Sequence, residues 1–131
     1  MKKLLILLIL FFSYTTYSQT AEEYFNSGLE KAENGDYYGA IDDYTKSIEL
    51  EPRYINYYNR GNAKGNLKDY YGAIADYNKV IELDPDNASA YNNRGTSKEN
   101  LGDLDGACSD WRKAVNLGDE EAKEWIANQC N

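Results

Sequence analysis

From residue 21 onward, apolar residues return every three to four positions, as a helix with one buried face requires. In the segment 37–50, Ala40, Ile41, Tyr44, Ser47 and Ile48 fall at i, i+1, i+4, i+7 and i+8 and share one helical face. Punctuation is equally regular. Asp36, Asp69 and Asp103 stand where a short carboxylate can cap a helix start, and Pro52 and Pro85 stand where a helix must stop. Gly35 and Gly102 suit the left-handed residue after a helix, whereas Lys68 takes that place once and Gly118-Asp119 closes the last unit. The pattern predicts seven helices, at 21–33, 37–50, 54–66, 70–83, 88–100, 104–117 and 119–130. Their short loops make consecutive helices antiparallel neighbours.

The helices come in copies. Residues 35–52 and 68–85 agree at 13 of 18 positions with an offset of 33, and a third copy begins at Gly102, 34 residues after the second. Upstream of each copy lies a second recurring block: Tyr24-Phe25-Asn26-Ser27-Gly28, Tyr57-Tyr58-Asn59-Arg60-Gly61 and Tyr91-Asn92-Asn93-Arg94-Gly95. A glycine inside a helix costs about 1 kcal/mol relative to alanine. Gly28, Gly61 and Gly95, with the small Ala40, Ala73 and Ala107, therefore point to helices that nest closely. Tyr rings are expected to fill the space between repeats.

With its Tyr then Gly four on, Gly-Asp-Tyr turn, Ala then aromatic four on (Ala40/Tyr44, Ala73/Tyr77, Ala107/Trp111) and closing Pro, the chain resembles the tetratricopeptide repeat family. The resemblance covers residues 21 to about 117 plus a terminal helix. It implies an all-α fold, a right-handed superhelical solenoid of three helix-turn-helix repeats (21–53, 54–87, 88–118) with a capping helix over 119–131. Two departures stand out: the first two repeats are separated by 33 residues rather than 34, a deletion near Arg53-Tyr54, and the third repeat lacks its proline.

The N-terminus differs from this body. Lys2 and Lys3 precede nine apolar residues, Leu4 to Phe12, and a small-polar tail to Ser18. A membrane span needs about 20 apolar residues. The run is read as a bacterial signal peptide over residues 1–18, cleaved before Gln19, with an uncleaved anchor as the alternative. On the first reading the body, 19–131, is exported to periplasm or medium and is not stably inserted in a membrane.

Composition narrows the chemistry. There are 14 basic and 22 acidic residues, for a net charge of −8; without Lys2 and Lys3, 12 basic face 22 acidic, or −10. Such a chain repels phosphate backbones, so nucleic acid is not an expected partner. With no histidine in the sequence, a Ser-His-Asp triad, a Cys-His pair and His-ligated metals are excluded. No phosphate loop or metal-ligand spacing appears, and no cofactor is expected. Asp42-Asp43 and Glu120-Glu121 are adjacent on helices and point about 100° apart, so they do not converge as an acid/base pair. The Asn87-Ala88-Ser89 sequon is unused in a bacterial chain. Thirteen tyrosines, against three Phe and two Trp, suit a thin core with many half-buried edges.

Cys108 and Cys130 are the only cysteines, and in an exported chain pairing is the default. About 11 residues separate each from a turn at Gly118-Asp119, which sets them level in an antiparallel hairpin. Closing that loop of about 23 residues should stabilise the fold by roughly 3 kcal/mol. Two free thiols, or a redox dithiol, are the alternatives.

The family resemblance implies a concave surface lined by the first helix of each repeat. By register, the inward set is Phe25, Asn26, Leu29 and Glu33; Tyr58, Asn59, Asn62 and Asn66; and Asn92, Asn93, Thr96 and Asn100. A ladder of amides can hold the backbone of an extended peptide without reading its side chains. Equally, the asparagines could serve only to bridge repeats. Some tetratricopeptide domains grip acidic tails through Lys and Arg in this groove; here Arg60, Lys64, Arg94 and Lys98 lie one turn aside. The sequence thus reads as a non-catalytic module that binds a peptide or partner protein, either another envelope protein or a second copy of itself. The competing reading is a structural assembly piece that adheres through Tyr37, Tyr38, Tyr70 and Tyr71. An enzyme needs a localised pocket and is the least supported class.

Overall fold

The computed structural model describes residues 19–130, so the expected signal peptide over 1–18 lies outside the described residues. Among the described residues seven helices follow one another: α1 Ala21–Glu33, α2 Tyr37–Leu50, α3 Tyr54–Asn66, α4 Tyr70–Leu83, α5 Ala88–Asn100, α6 Leu104–Asn116 and α7 Ala122–Gln129. They pair as α1/α2, α3/α4 and α5/α6, each pair stacks on the next, and α7 closes the end. The architecture is the right-handed superhelical solenoid of three helical hairpins with a capping helix. None of the helices described is long and apolar enough to cross a membrane.

Local chemistry explains each boundary. The side chains of Asp36, Asp69 and Asp103 accept the N–H of Gly39 at 2.9 Å, Gly72 at 3.0 Å and Gly106 at 2.9 Å, satisfying the free donors of α2, α4 and α6. Thr20 and Glu23 form a reciprocal capping box on α1. Lys68 holds φ +62°, where the equivalent Gly35 and Gly102 hold +80° and +85°, so the lysine carries the left-handed turn that glycine adopts without strain. The missing residue between repeats one and two costs α3 its cap. Arg53 makes no side-chain cap bond, while Asn87 at the start of α5 accepts from Ala90 N–H. The fully buried Asn56 donates to the Glu51 carbonyl and to Ser47 Oγ, both at 3.0 Å, and ties the shortened loop down instead. Asn87 also donates to Asp84 Oδ2, so the sequon amide is built into the loop.

Two sequence expectations are corrected. The last helix starts at Ala122 rather than 119, because Asp119 Oδ1 accepts from both Glu121 N–H and Ala122 N–H and holds a turn open first. The second expectation is incomplete: Tyr44 packs with Ala63 of the next repeat and Trp111 stacks on Trp125 of α7, yet the recurring rings also fill their own hairpins, since a Cβ on Gly28 would lie 2.7 Å from the Tyr44 ring, on Gly61 2.9 Å from Tyr77, and on Gly95 2.8 Å from Trp111. Each aromatic ring thus presses on the glycine of its own hairpin.

Cys108 and Cys130 form a disulfide with Cα atoms 5.7 Å apart, joining α6 to the end of α7. Ile126 and Cys130 pack on the buried Ala107, Cys108 and Trp111, and the Trp125 ring stacks on Trp111 with centroids 6.1 Å apart.

Candidate functional site: the inner wall

An open cavity of about 410 Å³ lies between the first helices of repeats two and three. Asn62, Gly65 and Asn66 of α3 form one side; Asn93, Thr96, Ser97 and Asn100 of α5 form the other; Tyr70 and Tyr77 of α4 close the floor. Five residues of the expected inward set therefore meet here: Asn62, Asn66, Asn93, Thr96 and Asn100. Asn62 and Thr96, and Asn66 and Asn100, stand in register, 34 residues apart on α3 and α5.

The other expected positions are placed differently. Asn26 is exposed on α1. Leu29 packs against the buried Ala40, Tyr44 and Ala63, and the Phe25 ring lies 5.8 Å from Tyr44 and 5.9 Å from the Arg53 guanidinium. These two form an apolar shoulder at the first repeat. The Tyr58 ring leans on Tyr77 at 6.1 Å, and Asn59 donates to the Ile55 carbonyl one turn back at 2.9 Å. Asn92 leaves the wall altogether: it is buried and donates to Asp119 Oδ2 at 3.0 Å, locking α5 to the turn before α7.

Among the wall amides, some bridge repeats and some do not. Asn93 Nδ2 donates to Tyr58 Oη at 3.1 Å and to Asn62 Oδ1 at 3.0 Å, crossing from repeat three to repeat two. Asn62 Oδ1 also accepts from the Tyr77 hydroxyl at 2.6 Å. Burial raises the Tyr77 phenol pKa well above its usual value, and the nearby Tyr58 adds to the shift, so it remains a donor at any physiological pH. Asn66 and Asn100 make no bridge: their amide nitrogens donate to the carbonyls of Asn62 at 2.9 Å and Thr96 at 2.8 Å. Of the two alternatives open in the sequence, bridging between repeats is seen for Asn93 and Asn62 and not for Asn66 or Asn100.

The basic residues beside the wall are all engaged. Asp76 is buried on α4 and takes Arg60 Nη2 at 2.7 Å and Lys64 Nζ at 3.0 Å from α3. Asp110, buried on α6, takes Arg94 Nη2 at 2.7 Å and Lys98 Nζ at 2.9 Å from α5 in the same way. Each arginine also reaches back one repeat, Arg60 to Thr45 Oγ1 at 3.1 Å and Arg94 to Asn78 Oδ1 at 2.8 Å. In repeat one Ser27 replaces the arginine, and Asp43 is held by Ser27 Oγ at 2.6 Å and Lys31 Nζ at 2.7 Å. Burial pushes the Asp43 pKa up, but the hydrogen bonds from Lys31 and Ser27 outweigh it and leave the carboxyl below its usual range. Sequence reasoning missed these triads. Their signal was the Arg and Lys four apart on each first helix, with an Asp recurring at one register on each second helix.

A family model described as TPR repeat matches residues 61–102, and one described as tetratricopeptide repeat matches residues 21–54 and 88–117. Among solved structures, the chain is similar to the first TPR of Spaghetti (RPAP3) bound to the HSP90 peptide SRMEEVD, at 29% identity over 85% of this chain and 90% of that one, with a TM-score of 0.79. It is similar to the Arabidopsis OM64 TPR domain at 27% identity over 84% and 93%, with a TM-score of 0.80. It is also similar to the second TPR domain of human RPAP3 in complex with the HSP70 peptide SGPTIEEVD, at 25% identity over 85% and 98%, with a TM-score of 0.77. No curated protein matches the chain.

Proposed function

The chain belongs to the tetratricopeptide repeat family, and from that membership we propose that it is a non-catalytic interaction module that seats a peptide or partner protein on its inner wall. The observation that carries the reading is the cavity between α3 and α5, with Asn66 and Asn100 turned outward at matching register. Its lining is amide, hydroxyl, phenol and glycine, which suits backbone recognition rather than proton transfer. Similar domains hold peptides, as the RPAP3 complexes with HSP90 and HSP70 peptides illustrate.

The proposed location is the bacterial envelope, periplasm or medium, after removal of residues 1–18. The Cys108–Cys130 pair supports an oxidising compartment. N-terminal sequencing of the purified native protein should begin at Gln19; a chain beginning at Met1 would overturn export with cleavage.

A second reading has its own support. Tyr38 and Tyr71 are 75% and 77% exposed at the same register of successive repeats, an adhesive surface on the second helices. The two readings separate by photo-crosslinking in the native host, with the reactive residue placed at Asn66 or at Tyr71. Capture from Asn66 alone supports the inner wall. Capture from Tyr71 alone overturns it in favour of structural assembly.

A further inference from the structure

The start of α1 is built from the second residue after the proposed cleavage site. Thr20 N–H donates to Glu23 Oε2 at 3.0 Å, Glu23 N–H donates to Thr20 Oγ1 at 3.1 Å, and Tyr24 N–H donates to the Thr20 carbonyl at 3.1 Å. These bonds satisfy donors that a helix N-terminus otherwise leaves to water. None of them involves Gln19, which is exposed and stands immediately before the cap. Gln19 borders a shallow cavity of about 260 Å³ with Tyr24, Lys46, Glu49 and Leu50, and the Lys46 ammonium lies 5.4 Å from the Tyr24 ring centroid.

Glutamine carries a side-chain amide within reach of its own α-nitrogen. When glutamine is first in a chain, that nitrogen is a free amine and can attack the side-chain carbonyl carbon, Cδ. The new N–Cδ bond closes a pyrrolidone ring, the Cδ–Nε2 bond breaks, and one amine proton leaves with Nε2 as ammonia. No oxidant, reductant or cofactor is consumed. The lactam is uncharged, as other blocked termini are. Of the groups bordering the cavity, Lys46 is the one cation and Glu49 the one anion. An ammonium at residue 19 would add an unmatched positive charge there, next to the positive end of α1, whereas the lactam adds none.

We propose that Gln19 is a modification site: the processed chain carries pyroglutamate there, and the closed terminus guards the cap of α1. The inference rests on cleavage before Gln19, and it adds the fate of the end so created. Aminopeptidases act on a free α-amine, which the lactam lacks. Removal of Gln19 would bring Thr20 to the end of the chain. Removal of Thr20 in turn would delete the capping box and leave the first turn of α1 to fray.

The test takes the chain purified from its native host with its disulfide intact. Free amines are dimethylated before digestion, and the N-terminal peptide is read by tandem mass spectrometry. The expected peptide starts at residue 19, is lighter by one ammonia than the open glutamine form, and carries no label on its α-nitrogen. A labelled peptide of full mass starting at Gln19 would overturn the proposal and leave export with cleavage standing. A peptide beginning at Met1, or at any residue other than 19, would remove the cleavage on which the proposal rests, and the proposal with it. Gln19→Asn keeps a side-chain amide but would have to close a smaller, strained ring, so its α-amine should take the label. Incubated with a broad-specificity aminopeptidase, the native chain should keep its mass and its thermal melt, whereas the Gln19→Asn chain should lose residues through Thr20 and melt lower. Trimming of both chains alike, or of neither, would overturn the guarding of the cap.

Discussion

Two glycines one turn apart on α3 should respond to alanine in opposite directions. At Gly65 the new methyl enters open space, so the substitution only removes the entropic cost of glycine and should stabilise by about 0.5–1 kcal/mol. At Gly61 the same propensity gain meets a closed wall. A Cβ would lie 2.9 Å from Tyr77 Cε1 and 3.2 Å from Asp76 Cβ. Neither neighbour is free to retreat: the Tyr77 hydroxyl is bound to Asn62 at 2.6 Å, and Asp76 is held by Arg60 and Lys64. Overpacking of this kind costs about 1–3 kcal/mol, so Gly61→Ala should be destabilising by about 1 kcal/mol net. Urea unfolding followed by circular dichroism should therefore separate the two variants by roughly 1.5–2 kcal/mol, with unchanged slope. If Gly61→Ala raised the midpoint as Gly65→Ala does, the nesting of Tyr77 on Gly61 would not be what demands glycine there, and the packing account of the repeat would fail.

Other outcomes follow from the same contacts. Asp76→Ala strands Arg60 and Lys64, both mostly buried, and should cost about 2–3 kcal/mol in chemical unfolding, toward the low end for broken buried pairs because both cations can reach water. Asp43 has a folded pKa below its ordinary 3.8, so its contribution is present above that pH and is lost as pH falls further; acid titration of Asp43→Asn should lack this part of the decline. Tyr44 is raised from 10.0 to about 12, chiefly by burial with Glu33 adding, so its contribution is complete below pH 10 and is lost between pH 10 and about 12. Tyr44→Phe should flatten stability across that window, with tyrosinate absorbance as the readout. Reduction of Cys108–Cys130 should cost roughly 3 kcal/mol, and tryptophan emission should shift to the red as α7 releases Trp125 from Trp111.

The sequence makes the helices legible because their ends are written in local chemistry. Asp36, Asp69 and Asp103 act within three residues of themselves, and Pro52 and Pro85 act on the residues before them. The end of the last hairpin was less legible, because Asp119 can cap one helix start or hold a turn, and contact with Asn92, 27 residues away, favours the turn. The wall was legible as a register, through the spacing of Asn62, Asn66, Asn93, Thr96 and Asn100. What each amide does depends on neighbours a repeat away: Asn93 finds Tyr58 across 35 residues, and Asn92 leaves the wall for a different element. Gly65 carried no sequence signal at all, since a glycine with nothing beside it looks like any other until its surroundings are known.

Backbone amide chemical-shift mapping of the ¹⁵N-labelled chain, titrated with the partner captured in the native host, tests the inner wall most directly. The account predicts the largest shifts at Asn62, Gly65, Asn66, Asn93 and Asn100, with Tyr38 and Tyr71 unmoved. Shifts gathered at Tyr38 and Tyr71, with the amides of α3 and α5 unperturbed, would contradict it.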